Sequence, residues 1–410
     1  MSQLPQIDSL RTPRVPRAAS RAATRASSVV NLPFLAVVMV LVVFGLVICW
    51  SAVVNDEDYS FRNQLVGVAL GIVLMTVVWR FDYRKLANMT TVFLVVNVAL
   101  ILSPHLPVIG VTTMGATSWI NIGMQVQPGE FAKVTVVLYA ASLVARYGGT
   151  LDDPREYVKV LFMLLIPFVC IMTQPDLGTG LVYLFISVTT LVMGGAKAKY
   201  LLITLGVGIL GIIGVFVVDE FLKYQTESGA WEYRLLKQYQ RNRLLVFMDQ
   251  SGSSLTDEGY NLWQAKIAIG SGGLFGKGLL NATQSSHGFL PEAPTDFIFC
   301  VLAEQLGFLG VMALIALYAA LVAISLNIAR NCGNLFGMLI VCAIVGMWLF
   351  QILENIGMCC GLMPITGIPL PFVSYGSSFM VVNFVMLGLI GSVWSHENVL
   401  GKRGGYAATR

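Results

Sequence analysis

The sequence predicts an all-α, polytopic membrane protein with ten transmembrane helices, both termini cytoplasmic, and a large extracellular loop between the seventh and eighth helices. Three observations carry that expectation. Of 410 residues, 56% are hydrophobic and only 12% charged, with a mean hydropathy of +0.75, far from the composition of a soluble domain. Apolar runs of about 17 to 25 residues recur along the chain, long enough as helices to cross a hydrocarbon core of about 30 Å. Lys and Arg gather in every second connection, the pattern of short cytoplasmic loops.

Residues 1–31 hold Arg11, Arg14, Arg17, Arg21 and Arg25 among Ala, Ser and Pro and lack apolar periodicity, so they read as a disordered basic cytoplasmic tail. The first apolar run, 32–54, is longer than a signal-peptide core and follows no small-residue cleavage site, so it reads as a span. The turn after it, with Asp56, Glu57 and Asp58 and only Arg62 nearby, lies outside. Runs 63–80, 88–104, 128–145, 157–174, 178–196 and 199–218 follow. Their inner turns carry Arg80, Arg84 and Lys85, then Arg146, Arg155 and Lys159, then Lys197 and Lys199. The interruption 220–295 is the extracellular loop, too long to be a simple connection. Runs 296–324, 335–358 and 377–395 complete a membrane domain of 32–395, with Arg330 inside and Lys402, Arg403 and Arg410 in a cytoplasmic tail of 396–410. In this topology the eighth helix runs inward from the outer surface, where its first residue is Asp296.

The net charge of +4 is accounted for by the inner loops and the basic tail, which face anionic membrane lipids, without invoking nucleic acid. The seven cysteines show neither metal spacing nor a disulfide framework and read as small core residues.

Within the outer loop, Trp231, Leu235, Leu236 and Tyr239 share one helical face while Arg234, Lys237, Gln238 and Arg241 occupy others. Tyr260, Trp263 and Ile267 make a second face, with Gln264 and Lys266 polar. Both stretches suit helices in the headgroup layer. The run Gly270 to Gly278 resembles a phosphate cradle but lacks the strand-to-helix setting of a nucleotide loop, so it reads as a tight turn presenting Lys277. Between the ninth and tenth spans, Pro364, Pro369 and Pro371 forbid regular helix. Irregular backbone at membrane depth must be buried in protein or line a wet cavity, and the expectation is a cavity open to the outside.

The polar residues expected on that side are Glu130, Lys133, Gln174, Asp176, Lys266, Lys277, Glu292, Asp296, Ser374 and Tyr375. Charges so near hydrocarbon pair with each other or face water, so convergence on one cavity is the economical reading. Lysines and carboxylates together suit an amphiphile with a diphosphate headgroup, the cations holding phosphate. Asp296 needs another task, either accepting a proton or holding a divalent ion. A diphosphate is already a good leaving group, so displacing it from a sugar carbon by another sugar's hydroxyl needs one base rather than the two carboxyls of a glycosidase. Plainer readings stand beside these. Asp296 opens the eighth helix with Pro294 in its first turn, Glu130 and Lys133 are a structural pair, and Asp176 caps the sixth helix.

Several segments together resemble the SEDS family of peptidoglycan glycosyltransferases: Trp119 with Gln127 to Lys133, Gln174 to Thr179, Ile267 to Gly278, Thr295 to Phe299, and Gly367 to Ser378. The resemblance spans the membrane domain. The segment Ile267 to Gly278 followed by Thr283-Gln284-Ser285 is more similar to the rod-shape branch (RodA) than to the division branch (FtsW). The resemblance implies a ten-helix, multi-pass enzyme of the bacterial cytoplasmic membrane. It would polymerise lipid II outside, onto a glycan strand carried on undecaprenyl diphosphate, with inversion and a new β-1,4 bond. Asp296 would be the base, and Trp119 and Thr295 join the substrate-binding candidates. It also implies a divalent cation, Mg or Mn, and a class B penicillin-binding protein as transpeptidase partner. The chain departs from the family pattern at Ser118, Asn261, Pro294 and Ser377. Ser118 replaces a common Arg, which shifts phosphate contact onto Lys133, Lys266 and Lys277 or onto another residue that has taken its place. Competing readings are a division-type septal polymerase, a lipid II flippase, and a scaffold that only positions a transpeptidase. A flippase needs polar lining through the midplane, whereas here the ionisable residues sit at the outer helix ends.

Overall fold

The structure is a computed structural model and describes residues 31–404 apart from 55, 57, 107–109, 114–115, 122–124, 175, 226–230, 234–240, 242–246, 248–256 and 287. A helix stands at each predicted apolar run. These are α1 Leu32–Val53, α2 Phe61–Arg80, α3 Thr90–Leu102, α4 Pro128–Ala145, α5 Pro154–Ile171, α6 Leu177–Met193 and α7 Ala198–Leu222. The loop contributes α8 Asp257–Gly272 and α9 Thr283–Ser286, and α10 Ile298–Arg330, α11 Leu335–Cys359 and α12 Ser377–Gly404 follow. By length and composition, seven described helices (α1, α2, α4, α7, α10, α11 and α12) can cross a membrane, while α3 and α6 are shorter apolar helices. The first two turns of α5 carry Arg155, Glu156 and Lys159.

Helix starts follow local chemistry. Asn31, Asp153, Asp176 and Asn334 cap α1, α5, α6 and α11 through side-chain oxygens that accept first-turn N–H groups. Pro128 and Pro154 sit in first turns, where a missing N–H costs nothing. The core is built on α4, α11 and α12, which are buried over most of their length. By contrast, Asp219 is the one buried residue of α7, whose apolar surface is of the kind lipid covers. At the end of the bundle away from Asp296, Tyr83 Oη donates to Glu397 Oε1 (2.7 Å), Gly333 N to Glu397 Oε2 (3.2 Å) and Trp79 Nε1 to Ser395 Oγ (2.6 Å), tying α12 to the end of α2 and to the turns after α2 and α10.

Three expectations need correction. The fold, expected to be all-α, is not helical throughout at residues 110–126. They form a three-stranded antiparallel sheet, β1 Gly110–Thr113, β2 Ala116–Asn121 and β3 Gln125–Val126, with Trp119 on β2 opposite Val111. Trp231, assigned above to an amphipathic helix, lies instead in β5 Trp231–Glu232, paired with β4 Tyr224–Gln225. The rest of that stretch, 234–240, lies outside the described residues. The second amphipathic helix is α8, with Tyr260, Trp263 and Ile267 exposed and Leu262, Ala265 and Ala268 buried.

The third correction concerns α10, expected as one helix from 296. It begins at Ile298 and breaks at Gly307, where φ is 65° and ψ is −163°. The glycine run mends the break: Phe308 N donates to Gly273 O (2.9 Å), Leu309 N to Leu274 O (3.2 Å), Lys277 N to Glu304 O (3.0 Å) and Gly278 N to Gln305 O (2.9 Å). Backbone groups freed inside an apolar bundle need such partners. A Cβ at Gly307 would lie 2.3 Å from Gly276 N, in a conformation open essentially to glycine alone. Gly307→Ala is therefore expected to cost at least about 1–3 kcal/mol, seen as a lower thermal unfolding midpoint in detergent.

Candidate active site

Asp296 sits in a turn rather than in the helix it precedes. Residues 291–297 are turns throughout, and Glu292, at a positive φ of 53°, offers its carbonyl to the N–H groups of Asp296 (3.1 Å) and Phe297 (3.1 Å). Pro294 is thus a turn residue and not an early helical one. A left-handed residue other than glycine is costly and must be held by its surroundings. Here Glu292 Oε2 accepts from Tyr59 Oη (2.9 Å) and Thr295 Oγ1 (2.7 Å). Burial, and then the Glu292 charge beside it, push the Tyr59 pKa well above the ordinary phenol value, so Tyr59 stays a donor. Tyr59→Phe removes a hydrogen bond to a charged group, worth about 1.5–3 kcal/mol. The expected readout is a lower unfolding midpoint, with Tyr375→Phe as a milder control because its hydroxyl makes only a 3.3 Å bond to Ser60 O.

The proline-rich run holds the turn from the other side. Tyr375 N donates to Pro294 O (2.9 Å), Ser374 Oγ to Thr295 O (2.6 Å), and Asn355 Nδ2 to Asp296 O (2.8 Å). Three consecutive carbonyls are thereby occupied, while Asp296 itself remains partly exposed. The run is secured in turn. Ser374 Oγ accepts from Leu370 N (2.8 Å), Asn355 Nδ2 also reaches Ile368 O (2.8 Å), Tyr318 Oη donates to Pro371 O (2.6 Å), and Gln64 bonds both Ser374 O and Gly376 N. The Tyr59 and Tyr375 rings meet edge-on at 5.1 Å. The backbone under Asp296 is fixed by main-chain hydrogen bonds, which suits a base that must be placed accurately.

Glu292, Thr295, Asp296, Ser374 and Tyr375 are therefore one hydrogen-bonded cluster. Tyr59, Gln64 and Asn355 complete it, and the sequence reading did not single them out. Ser374 is fully buried, with its hydroxyl committed to the backbone. Lys133 and Glu130 form a buried ion pair at 2.6 Å across the first two turns of α4, with the Lys133 ammonium 5.5 Å from the Phe379 ring centroid. Glu130 Oε2 is buried without a partner. Gln174 is buried, its side-chain amide nitrogen donating to Ile101 O, and its backbone carbonyl accepts from Ser118 Oγ at 3.5 Å. Asp176 Oδ1 accepts from Thr179 N (2.9 Å), the plain capping role. Trp119 on β2 and Lys266 on α8 are half-buried. Lys277 faces a carboxylate, its ammonium 2.6 Å from Glu304 Oε1. Glu304 was missed in the sequence, although an acid inside the apolar run after Asp296 was the available signal. Lys133 and Lys277 are thus paired cations. Among the described residues no group of three or more His, Cys, Asp or Glu side chains is arranged to hold a metal ion.

A helical bundle with a backbone-pinned acid at the head of a broken span defines a multi-pass membrane protein with a polar site at one end. The chain belongs to the cell cycle protein family that groups FtsW, RodA and SpoVE, which residues 31–399 match. It is 32% identical over 374 residues to the peptidoglycan glycosyltransferase MrdB of Escherichia coli K12, covering 90% of this chain and 94% of that protein. It is 31% identical to the peptidoglycan glycosyltransferase RodA of Treponema pallidum, covering 87% and 95%. It is 34% identical to a probable peptidoglycan glycosyltransferase FtsW of Thioalkalivibrio, covering 90% of each. Among solved structures, one reported as the structural coordination of polymerization and crosslinking by a peptidoglycan synthase complex matches with a TM-score of 0.71 and 28% identity, covering 89% of this chain and 97% of that one. The crystal structure of Thermus thermophilus RodA matches with a TM-score of 0.62 and 26% identity, covering 89% and 96%.

Proposed function

We propose that this chain is a peptidoglycan glycosyltransferase that polymerises lipid II into glycan strands on the outer face of the bacterial cytoplasmic membrane, serving cell elongation and shape in the manner of RodA. The observation that carries the reading is the Asp296 turn, whose backbone is held on both sides at the head of α10. Family membership and the glycosyltransferase relatives support the chemistry, and the charge pattern of the loops supports ten spans with both termini inside. MrdB and RodA among the relatives favour the elongation branch, while FtsW relatives of similar identity keep the division-type enzyme as the second reading.

In this mechanism Asp296 accepts the proton of the acceptor GlcNAc 4-hydroxyl as that oxygen attacks the anomeric carbon of the growing strand. The β-1,4 bond forms with inversion, and the bond to undecaprenyl diphosphate breaks with its electron pair leaving on the diphosphate. General-base help of this kind is worth about 10² to 10⁴ in rate. Glu130 and Glu304 already neutralise Lys133 and Lys277. The carboxylate set does not make an all-protein metal cage, but Mg or Mn commonly binds through one or two carboxylates plus substrate phosphate and water. Glu292 and Asp296, in one turn, are the residues that would hold such an ion. When bound, it would supply the positive charge that the departing diphosphate needs.

A class B penicillin-binding protein that crosslinks the new strand is the proposed partner, in keeping with the synthase complex among the matched structures. The deciding experiment is purified protein with lipid II and Mg or Mn, the glycan products resolved on a gel, wild type beside Asp296→Ala. Polymer from wild type alone supports the enzyme. Equal polymer from the variant removes Asp296 from the chemistry, and none from either with the partner present turns the reading toward transport or scaffolding.

A further inference from the structure

We propose that the ion pair between the buried Glu304 and the half-buried Lys277 is a latch that positions Asp296, by locking the half-helix 298–306 onto the outer glycine turn; the inference rests on Asp296 being the base proposed above. The break at Gly307 severs this half-helix from the hydrogen-bond ladder of 308–330, so the long span does not dictate where its first turn lies. Its placement comes from two ends. At the start, Asn355, Ser374 and Tyr375 hold the turn that carries Asp296. At the finish, the fully buried Glu304 carboxylate accepts from Lys277 Nζ (2.6 Å), Thr283 N (2.9 Å), Thr283 Oγ1 (2.9 Å) and Gln284 N (3.3 Å to each oxygen). Backbone bonds from Lys277 to Glu304 O and from Gly278 to Gln305 O lie alongside.

This arrangement departs from what stability alone favours. An unbroken helix with an apolar residue at 304 would avoid a buried charge, a left-handed glycine and a set of rescued backbone groups. Sequences that break several local rules at one place do so at functional sites. The task that fits is accuracy, because a catalytic group displaced by about 1 Å can lose about 10² in rate. Lys277 then acts through Glu304 as a positioning residue, in place of the phosphate contact expected from the sequence.

The test uses the full chain in detergent with lipid II and Mn, comparing Lys277→Met, Lys277→Arg, Glu304→Gln and the double variant Lys277→Met/Glu304→Gln with wild type. Polymerisation kinetics are read as kcat and KM per folded protein, and hydrogen exchange is followed over residues 290–300. The latch predicts that Lys277→Met lowers kcat by about 10 to 100-fold with KM nearly unchanged, and speeds exchange at the amides of Asp296 and Phe297. Lys277→Arg retains most of the rate. The double variant is no slower than Lys277→Met, because coupled partners do not lose their effects additively. Since a single variant leaves a buried charge and can fail to fold, the double variant carries the same readouts alone. Wild-type kcat and wild-type exchange in it overturn the latch. A rise in KM at constant kcat with unchanged exchange also overturns it, in favour of direct substrate contact. Absence of polymer from wild type counts against the proposed function instead, and the exchange arm then still decides whether the pair holds the turn.

Discussion

Asp296→Asn is expected to fold as the wild type does and to polymerise lipid II at least about 10²-fold more slowly. The fold survives because the contacts that place this residue run through its backbone: its N–H donates to Glu292 O and its carbonyl accepts from Asn355. These bonds run through the main chain and an amide has nearly the size of the carboxylate it replaces, so the variant can occupy the same turn. What the amide cannot do is take a proton from an attacking hydroxyl. The loss should fall on kcat, with KM for lipid II nearly constant, because the carboxylate is called on in the transition state. Asp296→Glu makes a second arm: it keeps the base but moves it by about a methylene, and should retain measurable activity below that of wild type. Unfolding midpoints of all three proteins within a few degrees, together with a rate for the Asn variant equal to wild type, would leave the site without its base.

The second large effect is expected at Lys133. Its ammonium and the Glu130 carboxylate are both buried, at 2.6 Å. Removing one partner strands the other in a low-dielectric interior, at a cost of about 3–5 kcal/mol. Lys133→Met should therefore collapse the level of folded protein, measured by size-exclusion chromatography in detergent and by unfolding midpoint. Replacing the pair together, Glu130→Gln with Lys133→Met, keeps similar volumes and removes both charges, and should restore most of the fold. Activity of that double variant then separates two roles. A folded but inactive protein would mean that the ammonium reaches substrate, and a folded, active one would mean that the pair is structural.

Much of this architecture was legible in the sequence because the bilayer imposes a simple rule on it. A run long enough to span must bond its backbone internally, and each of the ten runs contains a helix. The irregular proline run was legible for the same reason in reverse. The break in α10 was not, since Gly307 sits in an apolar stretch whose pattern continues on both sides and only its φ reveals it. Glu304 escaped because its partners, Lys277 and Thr283, lie in a loop distant in sequence. The sheet at 110–126 was signalled by Val111, Thr112, Thr113 and Thr117, a β-branched cluster overlooked beside the surrounding hydrophobicity. Of the hydrogen-bonded cluster around Asp296, the sequence pointed to Asp296, Glu292, Thr295, Ser374 and Tyr375 but not to Tyr59, Gln64 and Asn355. Those three are ordinary polar residues whose importance lies in which carbonyl, amide or carboxylate they reach, a matter of tertiary geometry.

The proline-rich run also constrains how such a protein can be rebuilt. Its main-chain oxygens at Ile368, Pro371 and Ser374 are satisfied by Asn355, Tyr318 and Gln64, side chains donated by three separate spans. A chimera that imported this segment from a relative without its matching donors would carry naked carbonyls into the bundle interior. Transplants should succeed only when residues 64, 318 and 355 travel with the loop, so that an apparently local exchange is in truth a four-piece one.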